Sequence, residues 1–264
     1  METQRNEEIY LEVDGHIGSL VINRPALYNA LDTEVLYKMD ALLAEAEQNK
    51  DIRALIVTST GEKSFVAGAN IRDLRQMTPE MAKISIDVGH QVFARIERFP
   101  VPTIAAINGH CLGGGLEIAM SCDLRVCVAG IKLGLPEANV GMIPGWGGTV
   151  RLQRIIGQGR AKEMILLGKA IDPETAKSYG LVSEVCENVE ALRETAKKMA
   201  LRIASLPPHV MRLDKEMIHT GHSSNAIDCA QRDALALAYC FTTEDSIEGL
   251  QAFLDKRKPE FKGK

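Results

Sequence analysis

The chain has 264 residues, 45% of them hydrophobic and 25% charged, with a formal net charge of −4. That is enough chain for a sizeable core in one large domain, or one domain with an appendage. The acidic balance disfavours a nucleic-acid surface, and no apolar run reaches the ~18 residues a membrane span needs.

In chain order, Ile9–Val13 and Ile17–Ile22 flank Asp14-Gly15-His16 and predict a β-hairpin. Asn23–Asn29 reads as a loop, and Asp32 caps a helix running to about Asn49 with Val35, Leu36, Met39, Leu42, Leu43 and Ala46 inward. Arg53–Thr58 is a strand and Thr60–Ser64 a turn. Thr78-Pro79 opens a helix whose Ile84, Val88, Val92 and Ile96 form a core stripe. Pro102–Ile107 is a strand, followed by a glycine-rich turn and a helix. Asp123–Ala129 and Ile131–Leu133 read as strands, and Leu135–Thr149 as a long Gly/Pro loop. A helix from Arg151 to about Lys169 is broken near Gly157 and Gly159. Asp172 starts another helix, ended by Gly180, and Leu181–Val185 is a short strand. Beyond Asn188 only helices are predicted: Glu190–Ser205, Pro208–Thr220, Ser224–Thr242 and Thr243–Lys258. Alternating strands and helices followed by helices alone imply an α/β core, residues 1–195, and a helical region, residues 196–264.

The acidic start Met1–Glu8 is unlike a signal or transit peptide, so the expected location is cytoplasmic. The six cysteines contain no Cys-x-x-Cys pair, which argues against zinc or a disulfide framework. His219 and His222 read as a surface pair, so no metal is expected.

The chemistry concentrates at Asn108–Met120. Three consecutive glycines, Gly113–Gly115, lie between a strand and a helix start. Such a turn lets a ligand approach the backbone, and free N–H groups at a helix start favour negative charge. Glu117, one turn in, suggests acid–base chemistry on a group that becomes an oxyanion. The same glycines also suit tight helix–sheet packing. They match neither G-x-G-x-x-G nor a P-loop. Phe65–Leu74 is a second strand-then-glycine passage, and the 135–149 loop carries Glu137 and the single Trp, Trp146, a packing residue in the plainer reading.

Taken together, Phe65-Val-Ala-Gly-Ala-Asn-Ile, Ala105-Ala-Ile-Asn-Gly, Leu112-Gly-Gly-Gly-Leu-Glu, Leu135-Pro-Glu, Ile143-Pro-Gly-Trp-Gly-Gly-Thr and Phe253-Leu-Asp-Lys-Arg-Lys resemble the enoyl-CoA hydratase/isomerase (crotonase) superfamily, nearest its short-chain hydratases. The resemblance spans essentially the whole chain. It implies an α/β crotonase-like spiral of ββα units with a C-terminal helical trimerisation region, assembled as a homotrimer or a dimer of trimers. It implies an acyl-CoA thioester as ligand, with CoA part of the substrate and no separate cofactor, nucleic acid, membrane or metal partner.

By motif position, Ala69 and Gly114 would supply the N–H groups of an oxyanion hole. Glu117 and Glu137 would be the two catalytic glutamates, and Gly145 would lie beside the reacting water. Glu117 is expected to be the base that orients water, and Glu137 the acid that protonates the α-carbon. Ala26, Leu27, Ala30 and Ala67 match the loops that cup adenine and pantetheine. Arg72 matches a basic position near the CoA phosphates, and Phe253 and Lys256 match C-terminal CoA contacts made partly across subunits. Leu116, Leu135 and Trp146 depart from the common Cys, Gln and Ala or Phe and are expected to shape the acyl pocket. Ala26 stands where Lys is usual and Asn70 where Asp is common. A double-bond isomerase is the second enzymatic reading; a non-catalytic oligomer that binds RNA is the third.

Overall fold

A computed structural model describes residues 7–221 and 224–264. The expected histidine pair falls partly outside this range, at His222. Two sheets form the frame. The hairpin is present as β1 (Ile9–Asp14) and β2 (Ile17–Ile22), antiparallel, with Gly15 at φ +58° in the turn. Asp32 accepts from the Val35 N–H and opens α1 (Thr33–Gln48), as its capping side chain predicts.

Three ββα turns follow. The first is β3 (Ala54–Ser59), β4 (Ser64–Val66), the single turn α2 (Ile71–Leu74) and α3 (Pro79–Glu97). The second is β5 (Thr103–Ile107), β6 (His110–Leu112) and α4 (Gly114–Ser121). The third is β7 (Leu124–Val128), β8 (Leu133–Gly134) and α5 (Gly148–Ile156). In each turn the first strand joins the larger sheet and the second the smaller one. The larger sheet runs β1-β2-β3-β5-β7-β10 and the smaller β4-β6-β8-β9. Beyond the hairpin the larger sheet is parallel, and β4, β6 and β8 are parallel too. The chain completes the core with α6 (Gln158–Leu166), β9 (Ala170–Ile171), α7 (Pro173–Ser178), β10 (Glu184–Cys186) and α8 (Val189–Ala204). It ends in α9 (Pro208–Gly221), α10 (Ala226–Cys240) and α11 (Glu244–Leu254).

Several expectations need correction. Strands β6 and β9 are additions to the expected set, the third strand of the smaller sheet sits at Leu133–Gly134 rather than Ile131–Leu133, and β10 begins at Glu184 rather than Leu181. These strands are two or three residues long and exist only by pairing with distant partners, so no alternation develops within them. Ile84 is 54% exposed and leaves the α3 stripe to Val88, Val92 and Ile96. The helix after Gly147 breaks at Gly157, which takes φ +83°, and Gly159 is inside α6.

The division between residues 195 and 196 falls inside α8. That helix lies along β2, β3, β5, β7 and β10, and its Leu192, Ala196 and Ala200 are buried in the same hydrophobic core as the sheets. Buried Cys111, Cys122, Cys127 and Cys186 are free thiols within the fold.

Candidate active site

A cavity of about 460 Å³ opens between the ends of β4 and β6 and the 136–146 loop. Its polar residues are few. Glu117 and Glu137 line it beside Gly68, Ala69, Gly113, Gly114 and Gly145. Apolar side chains from α2, α3, the segment between them and the loop, including Leu74, Met77, Ile86, Met142 and Ile143, form the rest of the wall. A largely apolar cleft with a few converging polar groups is the usual form of a small-molecule site.

The glycine turn is dictated by space and by backbone conformation. Gly68 and Gly113 take φ +105° and +54°, a region that side chains rarely adopt. A Cβ on Gly115 would sit 2.0 Å from the Val66 carbonyl oxygen, so α4 presses directly on β4. The loop that carries Ala69 therefore abuts the start of α4, and an ideal Cβ on Gly114 would lie 3.6 Å from Gly68 Cα. Gly114 is the first residue of α4, where an N–H has no acceptor within the helix.

Buried amides hold this arrangement from behind. Asn29 Nδ2 donates to the Ser64 and Thr60 carbonyls, and Asn108 Nδ2 donates to the Ser59 and Gly61 carbonyls. Ser59 Oγ donates to Asn108 Oδ1. The turn before β4 is thus fixed by three side chains, of which Asn108 belongs to the Ala105-Ala-Ile-Asn-Gly motif while Asn29 and Ser59 are marked only by being polar beside hydrophobic strands.

Glu117 is 1% exposed on α4. Its Oε1 accepts two backbone N–H groups, from Trp146 and Gly148, each at 2.7 Å. A Cβ on Gly148 would lie 2.9 Å from Glu117 Cγ and Oε1, so only glycine allows this approach. Burial is the main force on the carboxyl and pushes its pKa to about 7. The two N–H bonds pull it back down, the Glu137 charge raises it further, and the Arg151 charge lowers it. Glu137 opens the 3-10 turn Glu137–Val140. Burial raises its pKa as well, and its Oε2 is buried without a hydrogen-bond partner. The composition of the loop points to Gly145 and Trp146; Gly148 is marked only as a glycine of the same motif, and nothing in residue type shows that its N–H and that of Trp146 converge on Glu117.

Trp146 has both of the roles weighed for it. Its ring packs edge-on against Phe93 at 5.5 Å, and it fills space opened by Gly89 and Gly114, where Cβ atoms would come within 2.2 and 2.4 Å of the indole. It also lines the cavity. Leu116 and Leu135, expected in the acyl pocket, are instead fully buried in the core and lie outside the cavity wall. Helical geometry turns Leu116 away from the face that carries Glu117.

The remaining predicted ligand residues are spread out. Ala67 lines the first cavity and also a second one of about 620 Å³, beside Tyr28, Lys63, His110 and Leu112. Ala26 and Leu27 are exposed in the 3-10 turn Pro25–Leu27, and Ala30 is buried next to it. Arg72 is exposed on α2, between cavity residues Ile71 and Leu74. Phe253, 82% exposed, and Lys256 lie at the end of α11 and do not contribute to this chain's own cavity. Among the described residues no group of three or more His, Cys, Asp or Glu is arranged to hold a metal ion, and no helix is long and apolar enough to cross a membrane.

Residues 12–264 match the family model for enoyl-CoA hydratase/isomerase. The chain belongs to the enoyl-CoA hydratase/isomerase family. It is 42% identical to a short-chain-enoyl-CoA hydratase of Clostridium acetobutylicum over 96% of both chains. It is 38% identical to a crotonyl-CoA hydratase of Syntrophomonas wolfei over 97% of this chain and 98% of that one. The crystal structure of an enoyl-CoA hydratase from Bacillus anthracis superposes with a TM-score of 0.94 at 37% identity, over 98% of this chain and all of the other. The fold of this family member is accordingly the crotonase-like spiral, with helices at its C-terminal end.

Proposed function

We propose that this enzyme adds water reversibly across the 2,3 double bond of a short-chain 2-enoyl-CoA to give a 3-hydroxyacyl-CoA. The observation that carries the reading is two glutamates facing one apolar cavity at a glycine turn, one of them gripped by two backbone N–H groups. The short-chain preference rests on the names of the two relatives.

In this mechanism the thioester carbonyl sits against the N–H groups of Ala69 and Gly114. Charge moves onto that oxygen as water attacks C3, and fixed donors stabilise the enolate without rearranging. One such donor is worth roughly 3–4 kcal/mol. The glycine conformations at 68 and 113 and the helix start at Gly114 support this assignment.

Glu117 removes the proton from water. Its Oε1 is held by Trp146 and Gly148, which leaves Oε2 for the water beside the Gly145 backbone. A carboxyl whose pKa is about 7 can be ionised at neutral pH and still take a proton. Glu137, whose raised pKa favours the neutral form, delivers a proton to C2. The hydroxyl joins C3, the proton joins C2, and the proton gained by Glu117 is returned to solvent or to Glu137 for the next turnover.

Coenzyme A enters as part of the substrate, and no separate cofactor is invoked. Ala67 touches both cavities, which supports a thioester running from the first over towards Ala26, Leu27 and Ala30. Arg72 is assigned to the CoA phosphates, and Phe253 and Lys256 to CoA bound in a neighbouring subunit. The assembly is a homotrimer or a dimer of trimers. Ile227, Leu235, Leu237, Phe241, Leu250 and Phe253 leave an apolar surface on α10 and α11 that a monomer would expose to water.

The test is loss of enoyl-thioester absorbance on mixing with crotonyl-CoA, with 3-hydroxybutyryl-CoA identified as product. Absence of turnover, with CoA thioester still bound, would remove the hydratase reading and leave the site. Sedimentation as a monomer would remove the trimer.

A further inference from the structure

A chain of charged groups runs behind the site, outside the cavity. Arg151 Nη1 donates to the Trp146 carbonyl at 2.8 Å. Its other nitrogens hold Glu97 Oε2, Nη2 at 2.7 Å and Nε at 3.2 Å. The Trp146 carbonyl belongs to the peptide that lies between the two N–H groups gripping Glu117. Gly147, at φ +94°, turns the chain so that the Trp146 and Gly148 N–H groups converge on one oxygen while the carbonyl between them faces the guanidinium. A Cβ on Gly147 would lie 2.4 Å from Arg151 Nη1, so the guanidinium is seated tightly on this turn. Arg151 reaches across from α5 to α3, where Glu97 is the last residue.

We propose that Arg151 is a positioning residue for Glu117: clamped by Glu97, it fixes the 146–148 turn whose N–H groups hold the carboxyl. The same guanidinium charge favours the ionised carboxylate. This rests on the reading of Glu117 as the base. A staple between two helices would need the Arg151–Glu97 pair alone. The bond to the Trp146 carbonyl, which is one peptide removed from each Glu117 donor, is what ties the pair to catalysis.

Arg125, Arg154 and Asp214 line one cavity with Glu97, Arg151, Asp123, Lys215 and His219. Glu137 and Arg151 act on Glu117. Glu97 faces Arg151, and from α9 His219 lies 3.8 Å from Glu97 Oε1 and 3.1 Å from Asp123 Oδ1. Lys215, also on α9, pairs with Asp123 at 2.7 Å. Arg151 is the cation that bonds to the turn itself, and Glu97 is the charge that partly neutralises it.

Two variants have opposite expected signs. Arg151→Gln removes the cation and should move the Glu117 titration to higher pH. Glu97→Gln keeps a planar acceptor for Arg151 but leaves its charge uncompensated, and should move the titration to lower pH. A role confined to packing would move neither, or both together. Infrared difference spectra of the full protein labelled with ¹³C-glutamate, with Glu117→Gln as the subtraction, read this titration whether or not any substrate turns over. With crotonyl-CoA, Arg151→Gln should lower kcat about 10- to 100-fold near pH 7 with KM nearly unchanged, a loss typical of a mispositioned base. Arg151→Lys, which keeps the charge but cannot bridge both partners, should keep most of the titration midpoint and recover only part of kcat. Opposite shifts establish the proposal. A midpoint identical to the parent in folded Arg151→Gln, or shifts of the same sign in both Gln variants, overturns it. If Arg151→Gln does not fold, Glu97→Gln decides alone, and an unmoved midpoint there is the overturning result. A parent enzyme without turnover but with opposite titration shifts would remove the hydratase reading and keep the clamp.

Discussion

Replacing Glu117 by Gln separates what the carboxyl does for chemistry from what it costs the fold. Burial pushes this group from an ordinary value of 4.5 to about 7. The folded protein therefore holds the proton more tightly than the unfolded chain does. The stability that follows is fully present below about pH 4.5 and is lost as pH rises through about 7. The span from 4.5 to about 7 is some 2.5 units, which at about 1.4 kcal/mol per unit amounts to roughly 3.5 kcal/mol. Gln has nearly the same shape, and its carbonyl oxygen can accept from the Trp146 and Gly148 N–H groups, but it does not ionise. The variant should match the parent near pH 4.5 and exceed it by up to roughly 3.5 kcal/mol above about pH 8. Turnover should fall about 10²–10⁴-fold, as loss of a general base requires. Urea unfolding across this pH range, paired with the crotonyl-CoA assay, measures both. A stability difference that stays flat or shrinks as pH rises would refute the raised pKa and the acid–base argument built on it.

The remaining expectations concern the same few groups. With Glu117 as the base, kcat/KM should climb with pH through a midpoint near 7, and a profile flat from about pH 5 to 8 would exclude an ionised Glu117 as the group required. Glu137→Gln should lower kcat about 10²–10⁴-fold, and near-parental turnover would remove Glu137 from the mechanism. Gly148→Ala places a methyl 2.9 Å from Glu117 Oε1 and from Leu135 Cδ1. Displacing the carboxyl by a fraction of an ångström to one ångström should cost about 10²-fold in kcat with a smaller change in KM. Parental kinetics for that variant would mean that the turn gives way without disturbing Glu117.

The legible parts of the fold are those set by neighbours in sequence. Asp32, Thr78 and Asp172 cap helices through side-chain bonds to N–H groups three residues on, and each is readable from residue type and position. The hairpin is readable because Asp-Gly sits between two alternating runs. Strands β6, β8 and β9 escape such a reading or are displaced by it, because two or three residues carry no period of their own; their pairing with Ser64, Cys111 and Leu133 comes from elsewhere in the chain. Ile84 shows the same limit from the other side. Its spacing fits the α3 stripe, but its side chain is left 54% exposed while neighbouring Ser85 is buried.

The candidate site divides along the same line. Glu117 and Glu137 stand in short glycine and proline motifs, so residue order alone picks them out, and the succession of those motifs picks out the family. Residue order also sets Leu116 and Leu135 beside them, and only the packed core shows that both are fully buried and are not part of the cavity wall.

What the sequence by itself determined is the family, the run of strands and helices, and the residue types offered to the site, because these depend on spacing along the chain. The tertiary structure alone decided that one oxygen of Glu117 meets two N–H groups 29 and 31 residues away, and that Arg151 reaches Glu97 across 54 residues. It also decided that burial, the largest influence on Glu117, lifts its carboxyl to about 7. Backbone donors look alike in every residue, and burial exists only once distant segments have closed over a side chain.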